Sequence, residues 1–185
     1  MNDSGDQASV LIVDDEERVA ETYALRLRDG YETEIALSGE EALQTIDERV
    51  DVVLLDRRMP GTTGDEVVER IRNRGLDCRI VMLTAVDPDF DITEMAIDDY
   101  VVKPVTKEAL QQVVDRALTI SEYNEQVQQL NSLKLKRNVL ELELEEAALE
   151  ENNQYQQLVS KIERLESEIE SMEELLDIDQ YELFL

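Results

Sequence analysis

The sequence predicts an α/β domain, a doubly wound five-stranded parallel sheet, followed by an all-α segment that forms a helical hairpin or a coiled coil. Three observations carry this prediction. Short, β-branched apolar runs (Val10–Val13, Val52–Leu55, Ile80–Leu83 and Val101–Val102) alternate with helix-like stretches, as strands buried on both faces of a parallel sheet do. Polar residues follow each run: Asp14 and Asp15, then Asp56, then Thr84, then Lys103 and Pro104. From Thr106 onward there is neither Gly nor Pro, and helix formers dominate.

Taken in order, the strand Val10–Val13 precedes Glu16–Arg28, whose Val19, Tyr23, Ala24 and Leu27 recur at helical spacing, with Gly30 ending it. Glu32–Ala36 reads as the second strand. Ser38-Gly-Glu-Glu41 has capping-box spacing and opens a helix through about Arg49, with Ala42, Leu43 and Ile46 inward. The strand ending at Leu55 leads through a Pro60-Gly61 loop to a helix around Asp65–Arg74. After the strand at Ile80 comes an Asp- and Pro-rich stretch, then a last strand at Tyr100–Val102. A fifth helix turns Leu110, Val113, Val114 and Ala117 to the sheet. Its apolar pattern continues through Ile120, Tyr123, Val127 and Leu130 with no turn signal, so the helix is predicted to run out of the domain. The expected domain limits are 9–118 and 119–180.

In the second segment Glu150–Gln154 is the best candidate break. Beyond it Tyr155, Leu158, Ile162, Leu165, Ile169, Met172 and Leu176 follow an a/d heptad spacing. The expected partner of this seam is the stretch from about Tyr123 to Leu149, folded back at Asn152-Asn153, since Asn competes with helix and tolerates left-handed backbone. Three regular heptads against an irregular first stripe also predict a homodimer that shares the remaining seam.

Composition narrows the function. Asp and Glu number 45 against 18 Lys and Arg, a net charge of −27, which argues against general affinity for nucleic acid or an anionic membrane. Such an acid-rich, Lys-poor surface is typical of proteins from salt-loving organisms, where ionic strength screens self-repulsion. Cys78 is the only cysteine, so no intrachain disulfide forms. No apolar run approaches the ~20 residues of a membrane span, and no basic-then-apolar leader is present, so a soluble, cytoplasmic protein is expected. Lacking His altogether, the chain is not itself a His phosphocarrier.

Ligands of open α/β sheets bind beyond the carboxyl ends of the strands, which brings Asp14, Asp15, Asp56, Thr84 and Lys103 to one edge. Mg²⁺ takes oxygen ligands, including one or two carboxylates and phosphate oxygens. Asp14, Asp15 and Asp56 supply carboxylates, and a backbone carbonyl in the following loop completes the set. A carboxylate also attacks phosphorus as a nucleophile, with Lys103 and the Thr84 hydroxyl left to hold phosphate oxygens. The plainer alternative, that Asp14 and Asp15 only cap a helix, does not account for all four clusters in this order.

Residues 9–118 resemble the receiver domain of two-component response regulators. The resemblance rests on Val13-Asp-Asp-Glu16, Leu55-Asp-Arg-Arg-Met-Pro-Gly61, Gly64, Leu83-Thr-Ala85 and Asp99-Tyr-Val-Val-Lys-Pro104. It implies a flavodoxin-like fold, Asp56 as phosphoacceptor for a sensor histidine kinase, and Mg²⁺ held by Asp14, Asp15, Asp56 and the Arg58 backbone carbonyl. It further implies Thr84 and Lys103 as phosphate contacts, Tyr100 as the aromatic that responds to Thr84, and a cis Lys103-Pro104 bond. The resemblance also implies that the Arg58 side chain, two residues past Asp56, overlooks the phosphoryl group. Thr63 replaces an acidic residue common in the family, and the Asp87-Pro-Asp-Phe-Asp91 opening leaves room for only a short helix before the last strand.

Residues from about 120 to 180 are similar to the HalX domain, a helical module attached to receivers in haloarchaea. The similarity rests on Lys134-Leu-Lys-Arg-Asn-Val-Leu-Glu141 and the Tyr155-x-x-Leu158 start of a second helix. Lys134, Lys136 and Arg137 read as flank charges of a coiled coil. The expected function is a phosphorylation-controlled switch whose helical output engages an unidentified protein partner. The alternative is a phosphorylation-dependent, DNA-binding transcription regulator, less favoured on charge. A Mg²⁺ phosphatase is disfavoured because Asp56 is followed by Arg57 and Arg58, with no second acid placed for acid catalysis.

Overall fold

The computed structural model describes residues 7–85, 93 and 95–182, with side chains described to residue 176. The first six residues and the Asp87–Asp91 opening lie outside these, as does the short helix expected there. The elements are β1 (Ser9–Val13), α1 (Glu17–Leu27), β2 (Glu32–Ala36), α2 (Gly39–Thr45), β3 (Val52–Asp56), α3 (Gly64–Asn73), β4 (Arg79–Thr84), β5 (Asp99–Val102), α4 (Lys107–Glu143), α5 (Glu146–Glu150) and α6 (Asn153–Glu182). The chain divides into two compact units, residues 1–118 and 119–185.

In the first unit five parallel strands lie in the order β2-β1-β3-β4-β5. The central strands are buried along their length, which is why they read as continuous apolar runs. β2 and β5 lie at the edges and are only partly covered, so Glu32 and Glu34 are tolerated in β2. Alternate side chains feed two core layers. One face joins Leu11, Leu55 and Met82 to α2 and α3 through Leu43, Val67 and Ile71. The other joins Ile12, Leu54 and Leu83 to α1 and α4 through Tyr23, Leu27, Leu110 and Val114.

α2 ends at Thr45, four residues short of the expected Arg49. Ile46 is already extended, and Asp47 Oδ1 accepts from Arg49 N at 2.9 Å, a local bond that competes with the helix. The capping box is also displaced: Ser38 Oγ accepts from Glu41 N, but the Glu41 carboxylate takes the N–H of Leu37 rather than that of Ser38.

Within the second unit, α4 and α6 form an antiparallel hairpin. Tyr123 pairs with Glu173, Lys134 with Glu166 and Glu141 with Tyr155, so the numbering runs in opposite directions. Leu130 packs on Ile162, Leu165 and Ile169, which settles the choice left open between hairpin and extended coiled coil. The seam is deepest at its centre: Ile162, Leu165 and Ile169 are buried, while Tyr155, Leu158, Met172 and Leu176 are half-buried. The turn departs from the expected one. α4 stops at Glu143, the one-turn α5 follows, and Asn152 Oδ1 caps α6 by accepting from Gln154 N and Tyr155 N. Among the described residues no non-glycine has positive φ. Asn152 therefore works through its side chain as a cap, not through left-handed backbone.

Candidate functional site

Because strand order reverses between β1 and β3, the crevice of this sheet opens at their carboxyl ends. Asp14 is the first residue after β1, and its N–H donates to Ala36 O at 3.2 Å. Asp56 is the last residue of β3. Lys103 follows β5, with its N–H on Thr84 O at 2.6 Å, and its peptide bond to Pro104 is cis.

The Lys103 ammonium bridges the two carboxylates, donating to Asp14 Oδ2 and to Asp56 Oδ1 at 2.6 Å each. Their other oxygens are held by backbone: Asp14 Oδ1 accepts from Glu16 N and Asp56 Oδ2 from Arg58 N, both at 3.0 Å. Asp14 thus braces the backbone just before α1 but does not cap it, since the N-cap is Glu16 and no side chain caps that end, and its second oxygen faces the site. Asp14 is 2% exposed and Asp56 8%. Burial pushes the Asp56 carboxyl above the usual range, opposed by the hydrogen bond and charge of Lys103. At Lys103 burial disfavours the ammonium, but its bonds to Asp14 and Asp56 prevail and raise its pKa. Two buried carboxylates share a single cation, leaving one uncompensated negative charge.

That excess charge on hard oxygen donors fits a divalent cation in kind. Asp15, the third expected ligand, is exposed, and among the described residues no group of three such donors is gathered closely enough to hold a metal. Arg58 meets Asp56 through its N–H, and its side chain is exposed.

Thr84 ends β4 and is 1% exposed. Tyr100, on β5, pairs with Met82 while Thr84 pairs with Val102. Strand alternation puts Met82 and Thr84 on one face, and Tyr100 packs half-buried in that same layer. The structure brings Asp14, Asp56 and Lys103 into direct contact, with Thr84 and Tyr100 together on the neighbouring strands.

Other contributors are not obvious from the motifs. The loop after Asp56 ends in a full capping box, Thr63 with Glu66, so the unusual Thr63 starts α3. Its Thr-x-x-Glu spacing was the available clue. A Cβ on Gly64 would lie 2.6 Å from Asp56 O and 2.8 Å from Arg57 Cα, which explains the glycine. Arg57 pairs with Asp65, and the Thr62 hydroxyl donates to Glu40, tying the loop to α2. Arg26 of α1 donates to Val105 O at 2.5 Å, anchoring the turn after Pro104. No local pattern marks that contact, since 79 residues separate its ends.

Residues 10–115 match the response regulator receiver domain family, and residues 119–183 match the HalX domain. A Haloferax volcanii protein provisionally named a transcriptional regulator is 49% identical over 76% of this chain and 23% of its own length. The Bacillus subtilis alkaline phosphatase synthesis transcriptional regulatory protein PhoP is 37% identical over 61% of this chain and 49% of its own. The chain thus spans about a quarter of the first relative and half of the second. Among solved structures, response regulator TrrA of Thermotoga maritima in complex with Mg²⁺-BeF is 37% identical, with a TM-score of 0.55 over 60% of this chain and 99% of that one. Among the described residues no helix is long and apolar enough to cross a membrane. The receiver family is a signalling module rather than a catalytic one, and its match covers more than half of this sequence. The chain belongs to the response regulator receiver domain family and carries a HalX domain behind the receiver.

Proposed function

We propose that this protein is a phosphorylation-switched transcription regulator, with Asp56 as phosphoacceptor and the HalX hairpin as output. The observation that carries the switch is the buried Asp56 carboxylate, held at a strand end by Lys103 and the Arg58 N–H. As the bond from phosphorus to an imidazole nitrogen of a kinase phosphohistidine breaks, an Asp56 oxygen bonds to phosphorus and the imidazole leaves with the electron pair. Asp14, Asp15, Asp56 and the Arg58 carbonyl would hold Mg²⁺, which would supply the charge that offsets repulsion between carboxylate and phosphoryl group. Lys103 then pairs with a phosphate oxygen. The Thr84 hydroxyl donates to another, and Tyr100 follows it on the shared sheet face. TrrA, whose complex contains Mg²⁺-BeF, supports the Mg²⁺ assignment.

For the output, the transcriptional names of the Haloferax and Bacillus relatives favour gene regulation over the protein-partner reading that composition suggested. Acting beside a sensor kinase, the protein belongs in the cytoplasm. The seam that motivated a homodimer is covered at its centre within one chain, while its outer positions Tyr155, Leu158, Met172 and Leu176 are half-buried and are what a second copy would share. Phosphate-affinity electrophoresis after acetyl phosphate treatment tests the switch. The wild type is expected to label only with Mg²⁺ and Asp56→Asn not at all; labelling of Asp56→Asn at the wild-type level would refute the assignment.

A further inference from the structure

Residues 119–185 contain only five basic residues, Lys134, Lys136, Arg137, Lys161 and Arg164. They occupy two short windows far apart in sequence. No acid lies between Glu125 and Glu141, and none between Glu151 and Glu163. The hairpin brings the basic windows level, since Lys134 Nζ is 2.6 Å from Glu166 Oε1. In a chain of net charge −27, its second unit gathers all its cations at one height.

Helix geometry also places most of them on one side. Lys161 and Arg164 each precede by one residue a seam position, Ile162 or Leu165. Lys136 precedes Arg137, which continues the inward line of Leu130 one heptad on. In an antiparallel pair, positions at the same offset from the seam lie on the same side of both helices. Lys136, Lys161 and Arg164 therefore share one face, with Arg137 at its inner edge. Along α6 it continues as a hollow of about 570 Å³ lined by Asn153, Gln156, Gln157, Ser160, Lys161 and Arg164, with uncharged hydrogen-bonding groups beside the cations.

Three of the five cations are partly neutralised within the hairpin: Lys134 by Glu166, Arg137 by Glu141 and Arg164 by Glu168. Lys136 and Lys161 are exposed and make no ion pair with any described residue. A coiled-coil flank role does not use them. We infer that this face of the α4–α6 hairpin is a contact surface for the phosphate backbone of duplex DNA, with Lys136 and Lys161 as its principal phosphate contacts. The inference rests on the transcriptional reading above and names the surface that would serve it. Charge complementarity selects the occupant, because the stretches 126–140 and 152–162 that carry Lys136 and Lys161 hold no acid, whereas phosphate is repelled by the acid of the rest of the chain. In molar salt, screening beyond about 3 Å leaves direct contacts of this kind as the effective ones.

The test is a fluorescence titration of the full chain with a random-sequence DNA duplex over a series of KCl concentrations. Lys136→Gln/Lys161→Gln is expected to weaken binding about tenfold and to reduce the slope of log affinity against log salt by about two. Lys136→Arg/Lys161→Arg should restore both, and all three proteins should have the same helicity by circular dichroism. A wild type that binds duplex no more tightly than the Gln double variant overturns the face while leaving the Asp56 switch untouched. Absence of duplex binding at any salt overturns it too, as does equal competition by a polyglutamate peptide, which would mark the face as a site for acidic protein. Failure of Asp56 labelling, in contrast, would refute the switch without altering this titration.

Discussion

Lys103 Nζ sits 2.6 Å from Asp56 Oδ1 and equally close to Asp14 Oδ2, so one ammonium tethers the ends of two central strands. The pairing keeps two carboxylates buried together, at a cost, because burial still pushes Asp56 upward. A carboxyl whose folded pKa is raised binds its proton more tightly when folded. Its ionisation therefore opposes folding once pH exceeds the unfolded value.

It follows that Asp56→Asn should stabilise the protein at neutral pH, by about 0.5–2 kcal/mol. The gain should vanish as pH falls through the carboxylate range, where the wild-type group is protonated. Thermal unfolding from pH 4 to 8 checks this; an Asn variant less stable than wild type at pH 7 contradicts it.

Thr84→Ala should still accept phosphate yet lose the response of the output. The hydroxyl is buried beside Tyr100's layer and serves a two-state element rather than the transfer itself. Labelling at near-wild-type rate should accompany loss of any phosphorylation-dependent change in Tyr100 environment, read by amide and aromatic NMR shifts. Wild-type shifts in the variant would place the switch elsewhere.

At Gly64 an added methyl group meets backbone at 2.6 and 2.8 Å, where no flexible side chain can yield. Gly64→Ala should cost about 1–3 kcal/mol and slow labelling of Asp56 by shifting the loop that presents the Arg58 N–H. Denaturant midpoints and labelling rates together test it, and a variant normal in both would show the loop to be adaptable.

Ile162 is 1% exposed at the centre of the hairpin. Ile162→Asp should cost several kcal/mol unless the charge reaches water. It should reduce helicity while leaving Asp56 labelling intact, because the receiver has its own two-layered core. Circular dichroism with acetyl phosphate labelling separates the two effects; unchanged helicity would argue against an intramolecular hairpin.

Much of this molecule is local and was readable as such. Four of the five strands follow from apolar runs, continuous where a central parallel strand is covered on both faces, and the strand-end chemistry follows from the polar residue that ends each run. The heptad spacing of Ile162, Leu165 and Ile169 likewise marks a buried helix edge, because a helix repeats its inward direction every three to four residues. What chain order does not contain is who meets whom across space. That Lys103 spans Asp14 and Asp56, 89 and 47 residues away, that Arg26 holds Val105, and that Lys136 and Lys161 come level are decided by strand order and by where the hairpin turns. α2 also stops at Thr45 because a short-range Asp47–Arg49 bond outweighs helix propensity at its end. Periodicity fixes which side of an element is buried; only packing, in which loop closure and competing local bonds are weighed together, fixes its partner.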